Sequence, residues 1–231
     1  MLILGLQKTT LLDYPGKVAS TIFTGGCNFR CPYCHNRDLV IPPSDVMAYS
    51  EEEIFTHLIQ KKKVLDGVCI TGGEPTLHKD LPDFISRIKE MGLLVKLDSN
   101  GTNPEMIKSL VNNGLIDYVA MDIKHSKEKY NTIASMKSFD LAAIEESVDF
   151  LKEGHIDYEF RTTIMKECHN SEDMKAIGKW LQGAKAYFLQ SYKESEQVIN
   201  PIFTPHSAET LESFVELLKP YIPNTHLRGI D

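Results

Sequence analysis

Residues 26–36 read Gly-Cys-Asn-Phe-Arg-Cys-Pro-Tyr-Cys-His-Asn and hold three of the chain's five cysteines. Cys27, Cys31 and Cys34 follow the spacing C-x3-C-x2-C. Thiolates packed this densely on a short segment can converge on one soft metal centre. The segment therefore predicts a metal site, and the rest of the chain must indicate which kind.

Three kinds of centre compete for these cysteines. A structural zinc needs four ligands, but His35 directly follows the last cysteine, and Cys69 and Cys168 are isolated. Residues 31–35 match the C-x-x-C-H pattern of covalent haem, yet that attachment usually belongs to exported proteins, and residues 1–6 are too short for a signal peptide's apolar core. An iron–sulfur cluster normally takes four thiolates. Three would leave one iron open to another ligand, as a catalytic metal site does.

The composition is that of an ordinary globular protein. Of 231 residues, 42% are hydrophobic and 25% charged, which suits a single domain over residues 1–231. The net charge of −7 argues against a nucleic-acid partner, because phosphate binding needs a basic face. No apolar run approaches the roughly 18 residues of a membrane span. An odd number of crowded cysteines does not fit a disulfide framework, so we expect a cytoplasmic protein without a membrane or nucleic-acid partner.

Apolar, β-branched segments alternate with amphipathic ones along the chain. This alternation predicts right-handed βαβ units and a mostly parallel sheet, the α/β class. Six strands are expected, with a further edge strand at 225–228. Strands are predicted at 18–23, 67–70, 93–97, 118–121, 158–163 and 187–190, and helices begin near residues 50, 80, 104, 141, 171 and 207.

Polar motifs follow several of these strands directly. They are the cysteine segment, Thr71-Gly72-Gly73-Glu74-Pro75, Asp98-Ser99-Asn100-Gly101 and Asp122-Ile123-Lys124. Carboxyl ends of parallel barrel strands meet on the face that carries active sites, so these loops should converge. Two glycines let a backbone approach a ligand closely, and Glu74 can direct negative charge toward an ammonium group. Taken alone, each aspartate would read as a turn former or helix cap.

The combination resembles the radical S-adenosylmethionine (SAM) superfamily, in which an aromatic residue such as Tyr33 stands between the last two cysteines and a GGE motif follows. The longer string from Leu11-Leu12-Asp13-Tyr14-Pro15-Gly16 through CNFRCPYCHN resembles the activating enzymes of glycyl-radical enzymes. It is most similar to the activating protein of anaerobic ribonucleoside-triphosphate reductase. The resemblance extends from Gly5 to Ile230, and the chain lacks the cysteine-rich insert found in some of these enzymes.

The resemblance implies a partial (β/α)6 barrel open along one side, with a [4Fe–4S] cluster on Cys27, Cys31 and Cys34. It also implies a monovalent cation, Na⁺ or K⁺, held by Asp98, Ser99, the Ala120 carbonyl and Asp122 against the SAM carboxylate. His35 would either approach the adenine or only order its loop. Arg161 could point into the barrel or form a structural ion pair, and Gln190 could reach the ligand. The residues expected to bind SAM are Tyr33, Cys34, His35, Gly72, Gly73, Glu74, Asp98, Ser99, Asp122 and Lys124.

The activity implied is reductive cleavage of SAM, driven by one electron from a flavodoxin or ferredoxin. The resulting 5′-deoxyadenosyl radical would take a hydrogen from the α-carbon of a glycine in the partner enzyme, entering near residues 124–138. Three alternatives stay open. They are an activase of another glycyl-radical enzyme of the pyruvate formate-lyase type, a radical SAM enzyme acting on a small molecule, and a zinc or iron–sulfur interaction module without catalysis.

Overall fold

One eight-stranded sheet organises the residues that the structure, a computed structural model, describes: 1–135, 140–195 and 198–229. The strands lie side by side in the order in which the chain forms them. Strands β2 to β8 are parallel to their neighbours, whereas β1 is antiparallel to β2. The strands are β1 (Ile3–Thr10), β2 (Ala19–Thr24), β3 (Gly67–Gly72), β4 (Leu94–Ser99), β5 (Tyr118–Asp122), β6 (Asp157–Ile164), β7 (Tyr187–Ser191) and β8 (Thr225–Arg228).

Helices follow each strand from β2 to β7, which gives the six βα units predicted from the sequence. Because β1 and β8 end the linear strand order, the barrel stays open along one side, and the predicted α/β fold is confirmed. The helices are α1 (Arg37–Val40), α2 (Glu51–Lys61), α3 (Leu81–Glu90), α4 (Pro104–Asn112), α5 (Tyr130–Ala134), α6 (Leu141–Lys152), α7 (Ser171–Trp180) and α8 (Ala208–Leu218). Within the described ranges, no helix is both long and apolar enough to cross a membrane.

The two faces of the sheet differ in polarity because side chains alternate along a strand. Val95 and Leu97 of β4 are fully buried in a core that also holds Phe84 of α3. Lys96 and Asp98 alternate with these two residues along β4 and therefore belong to the opposite face. That second face lines the inside of the barrel and carries charge toward the carboxyl ends of the strands.

Three segments differ from the prediction, and one of them is the four-residue α1, which was not expected because it is too short to show a helical period. β1 was not expected, and its burial explains why: residues 7–9 are exposed on an edge strand, so no buried alternation marks it. The polar loop expected at 124–138 contains a 3₁₀ turn at Lys127–Lys129 and the five-residue α5, which is too short to show a helical period. Residues 136–138 of that predicted loop lie outside the described part of the chain. The predicted edge strand at 225–228 is confirmed as β8.

Candidate functional site

A cavity of about 210 Å³ lies at the carboxyl ends of the parallel strands. Side chains from all four predicted loops line it, so their expected convergence is confirmed. Ala120 is not among the lining residues. Asn100, Thr163 and Gln190 line the cavity in addition to the residues expected to bind SAM. Other residues at the cavity are Cys27, Cys31, Tyr33, Cys34, His35, Gly72, Gly73, Glu74, Asp98, Ser99, Asp122, Lys124 and Arg161.

The three clustered cysteines all line this cavity from the loop after β2. Burial raises the pKa of Cys27 to about 12 and that of Cys31 to about 11, so without a metal both thiols keep their protons. A bound metal replaces those protons, because thiolates are its ligands. Two backbone N–H groups already donate to the sulfurs, Phe29 to Cys27 Sγ and Asn36 to Cys34 Sγ, each at 3.4 Å. Such hydrogen bonds are among the factors that set the reduction potential of an iron–sulfur cluster.

The donor set fits an iron–sulfur cluster better than one metal ion. Across the described ranges, no group of three or more His, Cys, Asp or Glu side chains surrounds a position for one ion. A cluster spreads its ligands further apart, because each thiolate binds a different iron. The other two cysteines, Cys69 and Cys168, do not line the cavity. Three thiols without a fourth would leave one iron of such a cluster open to a further ligand.

Glycine backbone joins the cysteine loop to the loop after β3. The Gly73 N–H donates to the Thr24 carbonyl and the Glu74 N–H to the Gly26 carbonyl, both at 2.8 Å. A Cβ on Gly73 would lie 1.9 Å from the Gly26 oxygen, and Gly72 has a φ of +116°. These glycines are therefore required by the contact between two loops. The sequence predicted that these glycines let the backbone approach a ligand closely. In the structure their closest contacts are with the cysteine loop.

Glu74 joins the same loop to the end of β4. Its side chain is 1% exposed, and one carboxylate oxygen accepts from the Thr76 N–H, Thr76 Oγ1 and Ser99 Oγ. The other oxygen accepts from the Asn100 N–H at 2.6 Å. Burial raises the pKa of Glu74, and these donors oppose that rise. A carboxylate has about four lone-pair sites, so the protein itself uses most of its acceptor capacity.

Asn100 is a connecting residue that the sequence did not single out. Besides its backbone bond to Glu74, its Nδ2 donates to Asn28 Oδ1 at 2.8 Å, and its Oδ1 accepts from the Thr102 N–H and hydroxyl. Asn28 Nδ2 in turn donates to Thr102 Oγ1. The cysteine loop is thereby fixed to the end of β4. An asparagine before glycine reads as an ordinary turn, so nothing local indicated this role.

The segment after β7 lies on the cysteine loop. The Ile199 N–H donates to the Cys34 carbonyl at 3.2 Å and the Asn200 N–H to the Pro32 carbonyl at 2.7 Å. His35 Nε2 bonds to the Lys193 carbonyl, and its ring lies 5.3 Å from that of Tyr192. Of the two roles expected for His35, ordering of the loop is the one that these contacts support. The sequence predicted neither a strand nor a helix between residues 190 and 207 and gave no sign of this contact.

Tyr33 is buried beside the cavity with its hydroxyl unpartnered. The ring is 3% exposed and meets the Phe203 ring edge-on, with 6.3 Å between centroids. Among the described side chains, its hydroxyl and that of Tyr192 are the buried polar atoms without a hydrogen-bond partner. Such orphaned groups are uncommon in folded proteins and call for an explanation, such as an absent ligand or water.

Charged side chains also line the cavity. Arg161 bonds to both Asp98 and Asp122, Lys124 pairs with Asp122 at 3.1 Å, and Lys96 pairs with Asp98. Burial would raise the pKa of Asp98, but Arg161 and Lys96 outweigh it and lower that pKa to about 2. Burial likewise opposes the Asp122 carboxylate, yet Arg161 and Lys124 leave its pKa below the usual value. Both groups are therefore ionised carboxylates.

Cys69 and Cys168 have other surroundings. Cys69 is 1% exposed, as expected for a core residue, but its sulfur lies 3.7 Å from Lys96 Nζ and 3.8 Å from Asp98 Oδ1, on the polar inner face. The Cys168 carbonyl bonds to His125, whose ring stacks on His169 at 4.8 Å. His169 Nε2 also bonds to the Lys124 carbonyl, so this pair supports the loop that carries Lys124.

Comparisons with known proteins agree with this geometry. The family model of the radical SAM superfamily matches residues 21–181. A protein of Methanocaldococcus jannaschii, provisionally named a glycyl-radical enzyme activating enzyme, is 34% identical over 238 aligned positions, covering 100% of this chain and 97% of its own. The pyruvate formate-lyase-activating enzyme of Clostridium pasteurianum is 30% identical over 125 residues, covering 52% of this chain and 51% of its own.

A solved structure shares the fold. The SAM-bound crystal structure of SuiB from Streptococcus suis superposes with a TM-score of 0.71 at 15% identity, covering 89% of this chain and 49% of that one. The family match covers most of the chain. It agrees with the open parallel sheet, the three-cysteine loop and the cavity at the carboxyl ends of the strands. The chain belongs to the radical SAM superfamily and, within it, to the family of glycyl-radical enzyme activating enzymes.

Proposed function

We propose that this enzyme cleaves SAM reductively and installs a glycyl radical on a partner enzyme, most specifically anaerobic ribonucleoside-triphosphate reductase. The observation that carries the proposal is the convergence of four loops on one cavity, which three thiols and two ion-paired carboxylates line together. The family implies a [4Fe–4S] cluster and SAM as cofactors. Together these would supply the 5′-deoxyadenosyl radical that abstracts the glycine hydrogen.

The roles that we assign follow from the walls of the cavity. Cys27, Cys31 and Cys34 would hold the cluster. Glycine backbone at 72–73 and the charge of Glu74 would face the methionine amino group, with Glu74 also holding its loop in place. Lys124, whose pKa lies well above the usual value because the Asp122 charge outweighs burial, would stay a cation opposite the SAM carboxylate. Further residues assigned to the SAM site are Tyr33, Asp98, Ser99 and Asp122, whereas His35 would order the cysteine loop.

Several parts of the proposal rest on the sequence resemblance. They are the reductase as partner, a flavodoxin or ferredoxin as electron donor, a cytoplasmic location and the action of residues 1–231 as one domain. The open side of the sheet supports a peptide substrate, because a loop of the partner can enter between the edge strands. The absence of a further cysteine-rich insert from the sequence favours the compact activases.

The test is anaerobic incubation of the reconstituted, reduced protein with SAM and either the reductase or pyruvate formate-lyase. We expect 5′-deoxyadenosine and, with the reductase, a glycyl-radical signal by electron paramagnetic resonance. Cys31→Ala should abolish both, because one cluster ligand is lost. A signal only with pyruvate formate-lyase would refute the partner assignment. Zinc without iron in the protein would refute the enzyme assignment.

A further inference from the structure

Arg161 spans the two carboxylates that the family resemblance assigned to a monovalent cation. Its Nη1 lies 3.1 Å from Asp98 Oδ2, and its Nε and Nη2 both lie 3.0 Å from Asp122 Oδ1. Asp122 and Arg161 are direct partners in the pairing of β5 with β6. A planar guanidinium can serve two carboxylates through several donors at once.

The remaining carboxylate oxygens also have cationic partners. Lys96 Nζ pairs with Asp98 Oδ1, and Lys124 Nζ lies 3.1 Å from Asp122 Oδ2. Lys96 is 2% exposed and the Arg161 side chain 13%, and turning either cation out into solvent would leave a carboxylate oxygen without its cationic partner. Removing one partner of a buried ion pair is strongly unfavourable.

Of the other two expected ligands of the cation, the Ser99 hydroxyl is engaged, and Ala120 does not line the cavity. Ser99 Oγ donates to Glu74 and accepts from the Gly101 N–H. Ala120 is fully buried within β5, with Asp98 and Glu159 as its register partners on the adjoining strands. A hard cation is held by several oxygen ligands at once, and here the carboxylate oxygens already have their charge balanced by basic side chains. The residues therefore do not fit the cation that the resemblance implies.

The charges around the two carboxylates indicate which groups stand in place of the monovalent cation. Two carboxylates face three basic side chains, which leaves one positive charge in excess. Glu159, the next acidic residue on β6, is already paired with Arg228. The basic side chains can therefore offer a ligand's carboxylate the positive charge that an added Na⁺ or K⁺ would have supplied. A further cation beside them would be repelled.

We propose that Arg161, together with Lys96 and Lys124, takes the place of the monovalent cation, so that SAM binding in this enzyme requires neither Na⁺ nor K⁺. Arg161 is then a positioning residue that holds Asp98 and Asp122 and supplies the balancing charge. The inference rests on the proposed function for its ligand, although the occupancy of the carboxylate pair can be measured without SAM.

The first test titrates K⁺ and Na⁺ against the anaerobically reconstituted enzyme at constant ionic strength, with choline as the replacement cation. We expect the SAM dissociation constant and the 5′-deoxyadenosine rate to change by less than about twofold up to about 0.2 M of either ion, because constant ionic strength keeps screening the same and the site takes up neither ion. A saturable stimulation of about tenfold by K⁺ or Na⁺, absent with choline, would overturn the proposal.

The second test creates the missing site. Arg161→Met should weaken SAM binding about tenfold in choline buffer, because the balancing positive charge is lost and the two carboxylates are no longer held together, and K⁺ or Na⁺ should restore part of it. Arg161→Lys keeps the charge and should remain independent of cations. Lys175→Met, which removes an exposed charge that pairs with Glu172, controls for net charge. Equal cation dependence of Arg161→Met, Lys175→Met and wild type would contradict the proposal.

A third readout needs no SAM. A ligand that binds only the folded state raises the melting temperature. We expect K⁺, relative to choline, to leave the melting temperature of the wild-type protein unchanged and to raise that of Arg161→Met. Specific stabilisation of the wild type by K⁺ would refute the inference, whether or not SAM is cleaved. Failure of SAM cleavage with these melting results intact would instead count against the proposed function alone.

Discussion

Replacing Gly73 with alanine tests whether the glycine pair serves the contact between two loops. The added Cβ would lie 1.9 Å from the Gly26 oxygen, where ordinary contacts begin near 3.4 Å, a shortfall of 1.5 Å. The neighbouring atoms are backbone, which cannot rotate away. Because Gly26 directly precedes Cys27, the displacement required must move the start of the cysteine loop.

The expected cost follows from these contacts. Overpacking in a filled site costs about 1–3 kcal/mol. Moving the Gly26 carbonyl also lengthens the bond it accepts from the Glu74 N–H, worth about 1 kcal/mol. We therefore expect the free energy of unfolding to fall by about 2–4 kcal/mol. The cluster should also be lost, because its ligand loop is displaced.

Gly114→Ala is the matched control. Gly114 has a φ of +65°, but a Cβ there would have no atom within 4 Å, so alanine costs only the left-handed conformation, about 1–2 kcal/mol. Urea denaturation and the iron content after anaerobic reconstitution are measured for both variants. Retention of iron by Gly73→Ala at the level of the control, with an equal loss of stability, would refute the reasoning.

Three further substitutions test other contacts. Glu74→Gln should lower the free energy of unfolding by about 2–3 kcal/mol in urea denaturation, because an amide nitrogen would face N–H or O–H donors, among them the Asn100 N–H. Burial, with help from His125, holds the pKa of His169 near 3, against an ordinary value of 6.5. Below pH 6.5 the unfolded chain therefore binds a proton at this histidine, whereas the folded chain keeps the ring neutral. The free energy of unfolding is therefore highest above pH 6.5 and falls by about 1.4 kcal/mol per pH unit on acidification. His169→Gln should flatten that fall between about pH 6.5 and 5 in urea midpoints. Cys31→Ala should lose the cluster, whereas Cys69→Ala should keep it, as judged by iron content and visible absorption.

Each of these has a clear contrary result. An unchanged urea midpoint for Glu74→Gln would mean that water or a rearranged loop satisfies its donors. An equally steep pH dependence in His169→Gln would show that other groups titrate in this range. Equal iron in the two cysteine variants, or loss from Cys69→Ala alone, would mean that the wrong thiols have been assigned to the cluster.

The sequence predicted the parts of the site that are local in the chain. The cysteine spacing, Gly72–Glu74 and the acidic ends of β4 and β5 each follow an apolar strand directly, and parallel topology brings such ends together. The alternation of strands and helices likewise gave six βα units. These predictions needed only the order of residues along short segments.

Interactions between distant segments could not be predicted in this way. Lys96 lies two residues before Asp98 on the same face of β4, a usable signal, but only the sheet register places Arg161 opposite Asp122. That pairing decides whether the carboxylates are free for a cation. β1 also escaped prediction, because an edge strand with exposed polar residues lacks the buried alternation that marks the others.

The contact between the segment after β7 and the cysteine loop has a consequence for evolution. Both of its donors are peptide N–H groups, at Ile199 and Asn200, and both acceptors are carbonyls. Every residue except proline supplies the same donor, so the contact persists when the side chains at these two positions are substituted. Relatives can therefore keep this support for their metal loop without any shared residue to reveal it, and a comparison of backbones, rather than of sequences, is the way to trace it.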